Sequence, residues 1–341
     1  MGLDHDRLPP TYGESAAAPA GRGEGKTITS VSALPGRTLI QFVGVAIAFL
    51  VVIPLALAGE PYWLGVATNV CMLSLGSLGV WVIFAIGRVD LAQGAFAMLG
   101  GYATAILSAR LGLSFWLCLP LSIVLSAAAG ALIGFAIMPL RGVYFAMITL
   151  SLGEAMRLAV LNGGDLTNGA HGFVDLPRTA GLMSPVAFYF LAAALLLVTL
   201  LVVWRIATSR IGGIFRAMRQ SEDLASSLGV DIARYRIIAF ALACALGGCC
   251  GSFFAQYQQN VFPGTYSIAD SINFLLYCFL GGLGFVFGPV VGAALLVIAF
   301  ELLNALQSVQ ALLYGALMIA MMLFLPNGLM SIRLRRGGNQ K

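Results

Sequence analysis

Long apolar blocks, following one another with only short polar segments between them, constrain this chain more than any other feature. Each block runs roughly 17 to 25 residues, the length that about 30 Å of hydrocarbon demands of a helix rising 1.5 Å per residue. Charged residues make up 10% of the chain, against about a quarter in an ordinary globular domain, so lipid is its main solvent. The two-residue alternation of a lipid-embedded barrel is absent, and an open sheet edge in lipid would strand backbone donors and acceptors. The expected fold class is all-α, a polytopic transmembrane helical bundle.

Read in order, the blocks place spans at about 38–58, 62–86, 91–109, 115–138, 142–161, 183–204, 237–259, 268–284, 287–304 and 309–326. The third, eighth and ninth are interrupted by glycine or polar residues and are candidates for broken or re-entrant segments, so about eight to ten spans are expected. Residues 1–36 are rich in Gly, Ala, Pro and charge and have no apolar core, the composition of a disordered tail. Within it, Gly21 to Thr27 approaches a phosphate-binding loop, but the motif needs a glycine where Ala20 stands, and no strand leads into it. ATP binding is not expected there. The organisation expected is a tail over 1–36, a membrane domain over 37–332 and a basic tail over 333–341.

The basic residues then set an orientation. Arg37, Arg88, Arg141, the arginines from Arg205 to Arg236, and Arg333, Arg335, Arg336 and Lys341 fall on one side of such a bundle, with Arg110 and Arg178 opposite. Cytoplasmic loops hold the excess of Lys and Arg, so both termini are expected to be cytoplasmic, with the loops over 162–181 and 260–267 outside. Small residues recur four apart at Gly284, Gly288 and Gly292, at Gly247 and Gly251, and at Gly130 and Gly134, a spacing that lets membrane helices approach closely. Pro289 suggests a helix start or a kink. All six cysteines lie in apolar segments without metal-site spacing, and read as small buried residues. His171 in an outer loop reads as a solvated or docking residue. No nucleophile with a partnered base and no metal constellation emerges, so the chain is not expected to be an enzyme.

Two regions carry candidate function. In the cytoplasmic loop 205–236, polar and apolar positions over 213–229 alternate at helical spacing: Phe215, Met218, Leu224 and Leu228 on an apolar side, with Arg219, Glu222 and Asp223 toward water or a partner. Gly229 is a natural stop. One or two short helices against the membrane, ready to receive another protein, are expected; a basic amphipathic helix lying on anionic lipid is the alternative. The second region is the solute path. A charge at a helix centre costs about 2.5 to 3.5 kcal/mol on insertion scales. Glu154 and Arg157, three residues apart, can pair across one turn and serve a zwitterionic solute, or form a structural ion pair. Gln93, Thr149, Asn273 and Glu301 are expected to face the bundle interior, and Arg88 and Asp90 to be interface charges.

The run Arg216-Ala217-Met218-Arg219-Gln220-Ser221-Glu222-Asp223-Leu224-Ala225-Ser226-Ser227-Leu228-Gly229-Val230-Asp231 resembles the coupling loop of the branched-chain amino-acid permease family of ABC importers. Asp90 to Phe96 with Gly100-Gly101-Tyr102, Arg141 to Leu150 continuing to Gly153-Glu154, Gly281 to Gly284 with Gly288 to Ala293, and Phe324 to Leu329 resemble the family's other blocks, in order, over roughly 38–332. The resemblance implies a second, similar permease subunit, two cytoplasmic ATPase subunits and an external solute-binding protein as partners, in a bacterial inner membrane. ATP and Mg would be bound by the ATPase subunits, with no cofactor in this chain. By position, Arg216, Arg219, Glu222, Asp223, Ala225 and Gly229 would carry the ATPase contact. Branched-chain amino acids lead as solutes, with urea, short amides or aromatic acids as alternatives, since relatives carry them. A stand-alone carrier driven by an ion gradient and a channel for a small neutral solute are the competing classes.

Overall fold

The computed structural model describes residues 44, 49, 50, 54, 60–140, 142–178, 184–304 and 310–324. Expectations for the tail 1–36, most of the first span, Arg37, Arg141, the block after Phe324 and the basic C-terminal tail lie outside the described residues. The described residues from Phe49 onward fall in one compact unit.

The helices are α1 (Pro61–Ala85), α2 (Gln93–Leu111), α3 (Phe115–Ile137), α4 (Val143–Leu161), α5 (Pro185–Thr208), α6 (Arg210–Gln220), α7 (Glu222–Ser227), α8 (Ile232–Gln258), α9 (Ile268–Gly281), α10 (Gly288–Leu303) and α11 (Gln310–Phe324). Their ends follow local chemistry. Prolines open α1, α5 and α10, where a missing N–H costs nothing. Side chains of Ser184, Ser209, Ser221 and Asp231 accept backbone N–H groups at the starts of α5, α6, α7 and α8. Gly112, in the left-handed region, closes α2.

Among the described residues, 5 helices, α1, α3, α4, α5 and α8, are long and apolar enough to cross a membrane. Their outward faces carry what water would punish: Trp116, Leu121, Leu132 and Phe135 on α3, Val143, Tyr144 and Met147 on α4, and Val198 and Leu201 on α5 are all exposed. An apolar belt of this extent belongs against lipid or another membrane subunit.

At 19 residues α2 is as long as α4, yet it is not among these spans. It packs against α8, α3 and α4, and Gln93, Thr104 and Ser108 along it are buried. A helix wrapped in protein has no need of a continuous apolar surface. The 14 and 16 residues of α9 and α10 reach only about 21 and 24 Å, short of the hydrocarbon thickness.

The core is built on α8. Its Gly251 lies against the backbone of Ala97, its Gly248 against Gly100, and its Gly247 against Gln93 and Phe96, so α2 rests almost directly on α8. Where α2, α3 and α8 meet, the Thr104 hydroxyl lies 2.8 Å from that of Ser122 and 2.6 Å from that of Ser252, a buried polar junction inside the bundle. Gly130 and Gly134 of α3 meet Cys244 and Phe240 of α8. Gly288 and Gly292 bring α10 against Gly281, Gly282 and Tyr277, whereas Gly284 has open space around it and takes no part in this packing.

Contacts sort the connections to two ends. At one end Arg88 reaches Leu140 and Glu222, Arg236 reaches Met138, and the Trp81 indole donates to the Leu283 carbonyl at 3.2 Å. At the other end Phe173 pairs with Val261, and the Gln256 and Gln259 amides donate to Pro177 and Leu176.

Candidate functional site

The helical alternation over 213–229 does form helices, with Ser221 as the joint. Ser209 caps α6 through Ile211, and Ser221 closes α6 with its backbone while its hydroxyl accepts from Leu224 to open α7. Gly229, at φ +84°, ends the unit as expected.

The expected apolar side is corrected: nine residues at about 100° each put Leu224 opposite Phe215 even on one continuous helix, and the chain is in addition broken at Ser221. Phe215 and Met218 of α6 are buried, but Leu224 and Leu228 point outward, 62% and 76% exposed. Small Ala225 takes the inward place on α7. Of the three charges expected toward water or a partner, Arg219 and Asp223 are exposed and only Glu222 departs. The Arg219 guanidinium lies 4.5 Å from the ring centre of Phe84 on α1, over a tight turn where Gly87 at φ +82° brings the chain close. Glu222 points inward, accepting from Arg88 at 3.5 Å through Oε1 and from Arg236 through Oε2. Arg216 donates to the Ala207 carbonyl at 2.7 Å, and Asp223 is exposed. Arg88 and Arg236 were not among the expected site residues.

The expected solute-path residues divide. Glu154 and Arg157 form a two-point ion pair on α4, with contacts of 2.6 and 2.9 Å, on a half-exposed face. Glu154 also lines a cavity of ≈ 10 Å³, bounded by Leu91, Gly153, Tyr266, Ser267 and Ser271, with room for about one water. Thr149 lies next to it, buried, accepting from the Leu91 backbone at 3.2 Å. Ser271 accepts from Gly94 across the start of α2 at 2.9 Å. Gln93 turns instead toward α8, donating to the Ala243 carbonyl at 3.1 Å, with its own carbonyl oxygen buried and unpaired. Asn273 is half-buried on α9 and does not line the cavity. So Glu154 lines the cavity and Thr149 reaches its wall only through Leu91, while Gln93 and Asn273 stand apart. Tyr266 and Ser271 join Glu154 there, unflagged by any charge or motif.

Asp90, in the turn between α1 and α2, is fully buried. One carboxylate oxygen accepts from Ala92 at 2.9 Å and the other has no partner. Burial pushes its pKa up to about 6, partly opposed by the Ala92 and Leu91 N–H groups. Because the folded value lies above the unfolded one, this group favours the fold most below about pH 4, and that advantage is lost as pH rises through 6. The thermal midpoint of the purified chain is therefore expected to fall as pH rises from about 4 to about 7, and D90N to remove most of that fall, on the order of 2 kcal/mol. An unchanged pH dependence in D90N would discard the assignment.

The family model described as the branched-chain amino acid transport system permease component matches residues 62–325. This chain belongs to that family. Among its relatives, the high-affinity branched-chain amino acid transport system permease protein LivM of Escherichia coli is 34% identical over 293 residues, 78% of this chain and 69% of the relative. The protein of the same description from Salmonella typhimurium is 33% identical with the same coverage. The probable branched-chain amino acid transport permease protein LivM of Methanocaldococcus jannaschii is 25% identical over 231 residues, 61% of this chain and 67% of the relative. No solved structure gives a significant match. The permease is thus a membrane subunit of an ABC-type amino-acid importer family, a transport component and not a catalyst. Among the described residues, no cluster of His, Cys, Asp and Glu is arranged to hold a metal.

Proposed function

We propose that the permease moves branched-chain amino acids inward across a bacterial inner membrane, with both termini cytoplasmic. It pairs with a second, similar permease subunit, receives solute from an external binding protein, and is driven by two cytoplasmic ATPase subunits that dock on α7. The observation that carries this reading is the outward presentation of Leu224 and Leu228 on a short helix beyond the ends of the spans. A carrier working alone has no use for an apolar pair held out on a rigid loop. Two exposed leucines flanked by Asp223, Ser226 and Ser227 suit a protein cleft better than anionic lipid, which would favour a basic face.

The α4 face supports the paired subunit. Its apolar residues are mostly uncovered, and among them stands the Glu154–Arg157 pair, costly against bare hydrocarbon. A second permease lying along this face would cover it, leaving the solute path between the two subunits, with Glu154, Arg157 and Thr149 beside it and Gln93 and Asn273 behind. In this arrangement Arg216, Arg219, Glu222, Asp223, Ala225 and Gly229 belong to the coupling unit, the last two by shaping α7.

The test is uptake of labelled leucine into vesicles holding the complete set of subunits. Accumulation is expected only with ATP and the ATPase present. Leucine accumulation that follows a proton or sodium gradient without any ATPase would replace the importer with a carrier. Transport of urea, amides or aromatic acids in place of leucine would retain the importer and change its solute.

A further inference from the structure

We propose that Glu222, held between Arg88 and Arg236, is the strut through which movement of α7 reaches the membrane helices, and is a positioning residue rather than part of the docking surface. This rests on the docking role of α7 proposed above. One carboxylate gathers four segments. Its Oε1 takes Arg88, from the turn between α1 and α2, and its Oε2 takes Arg236, from the first turns of α8. Arg88 also donates to the Leu140 carbonyl and Arg236 to the Met138 carbonyl at 3.4 Å, so both guanidiniums grip the turn that joins α3 to α4. Arg88 further lies 5.2 Å from the ring centre of Phe145 at the start of α4.

The arginine side chains are 4% and 9% exposed and that of Glu222 20%, so this junction lies under α7 and is turned away from any partner. Ala225 is the one fully buried residue of α7. A methyl contact slides easily. Charge-assisted hydrogen bonds from two anchored guanidiniums do not. A push received at Leu224 and Leu228 therefore passes through Glu222 to the α1–α2 turn, the α3–α4 turn and α8 together, which includes the helix carrying Glu154.

The experiment compares E222Q, R236Q, the double variant and L224D/L228D in the complete transporter, measuring ATPase subunits retained on purification, leucine uptake, and ATP hydrolysed per leucine moved. For E222Q, retention of the ATPase is expected to match the unaltered chain, while uptake falls about tenfold and more ATP is spent per leucine. A lesion that merely lowered the amount of folded protein would leave that ratio where it was. R236Q, which keeps Glu222 facing Arg88, is expected to act in the same direction and serves should E222Q not accumulate. The double variant is expected to be no worse than the worse single change. Loss of the ATPase from E222Q to the extent seen with L224D/L228D would make Glu222 a docking residue, and unchanged uptake with an unchanged ratio would remove it from coupling. Retention of both ATPase and uptake by L224D/L228D would instead sink the docking role of α7, whatever E222Q does.

Discussion

A Gly251→Val chain is expected to fail to accumulate in the membrane, with amounts at least about tenfold below the unaltered protein. The α2 backbone at Ala97 occupies the space an added Cβ would need, and Gly248 meets Gly100 one turn away. Neither side can yield, because both contacts are to main chain and α2 is enclosed by α3, α4 and α8. Separating α2 from α8 would also pull apart the Thr104, Ser122 and Ser252 hydroxyls, leaving polar groups unpaired in a buried interior at about 1–3 kcal/mol each. Gly284→Val is the matched control. It has the same spacing pattern but open space around it, and near-normal accumulation is expected. Equal amounts of the Gly251 and Gly284 variants in membrane fractions would refute the account of the α2–α8 contact.

The L224D/L228D chain is expected to insert normally yet lose the ATPase and about 100-fold of leucine uptake. Both side chains are exposed, so no packing within the permease is lost, and adding charge at a water-facing position costs the fold little. A cleft built for two leucines would instead have to bury two carboxylates without partners. The measurement pairs co-purification of the ATPase with uptake, against the amount of inserted chain. Normal retention and normal uptake would show that α7 is not where the motor attaches.

Much of the fold was legible because a membrane span is a local property. The block at 115–138 became α3 at Phe115–Ile137 and that at 142–161 became α4 at Val143–Leu161, since a helix in lipid must satisfy its own backbone and shed its own polar surface. The glycine spacing marked faces that do pack closely, on α3, α8 and α10, yet it named no partner helix and could not separate Gly251, pressed on backbone, from Gly284, which touches nothing. The spacing states which helix face is small but not whether another helix comes to it. The coupling loop shows a sharper limit. The expectation that grouped Leu224 and Leu228 with Phe215 and Met218 failed because, at about 100° per residue, Leu224 already lies opposite Phe215 on one continuous helix, and Ser221 in addition ends one helix and begins another.

Sequence alone determined the class, the helical blocks and their caps, and the ordered motifs that place the permease in its family. Tertiary structure alone decided the company each charge keeps. Glu222 meets Arg88 across 134 positions of the chain, and Gln93 faces Ala243 across 150, pairings that no local pattern encodes. Insertion into lipid is settled stretch by stretch, since every helix pays its own transfer cost, whereas the partner of a buried polar group is settled only when helices distant in sequence close on one another.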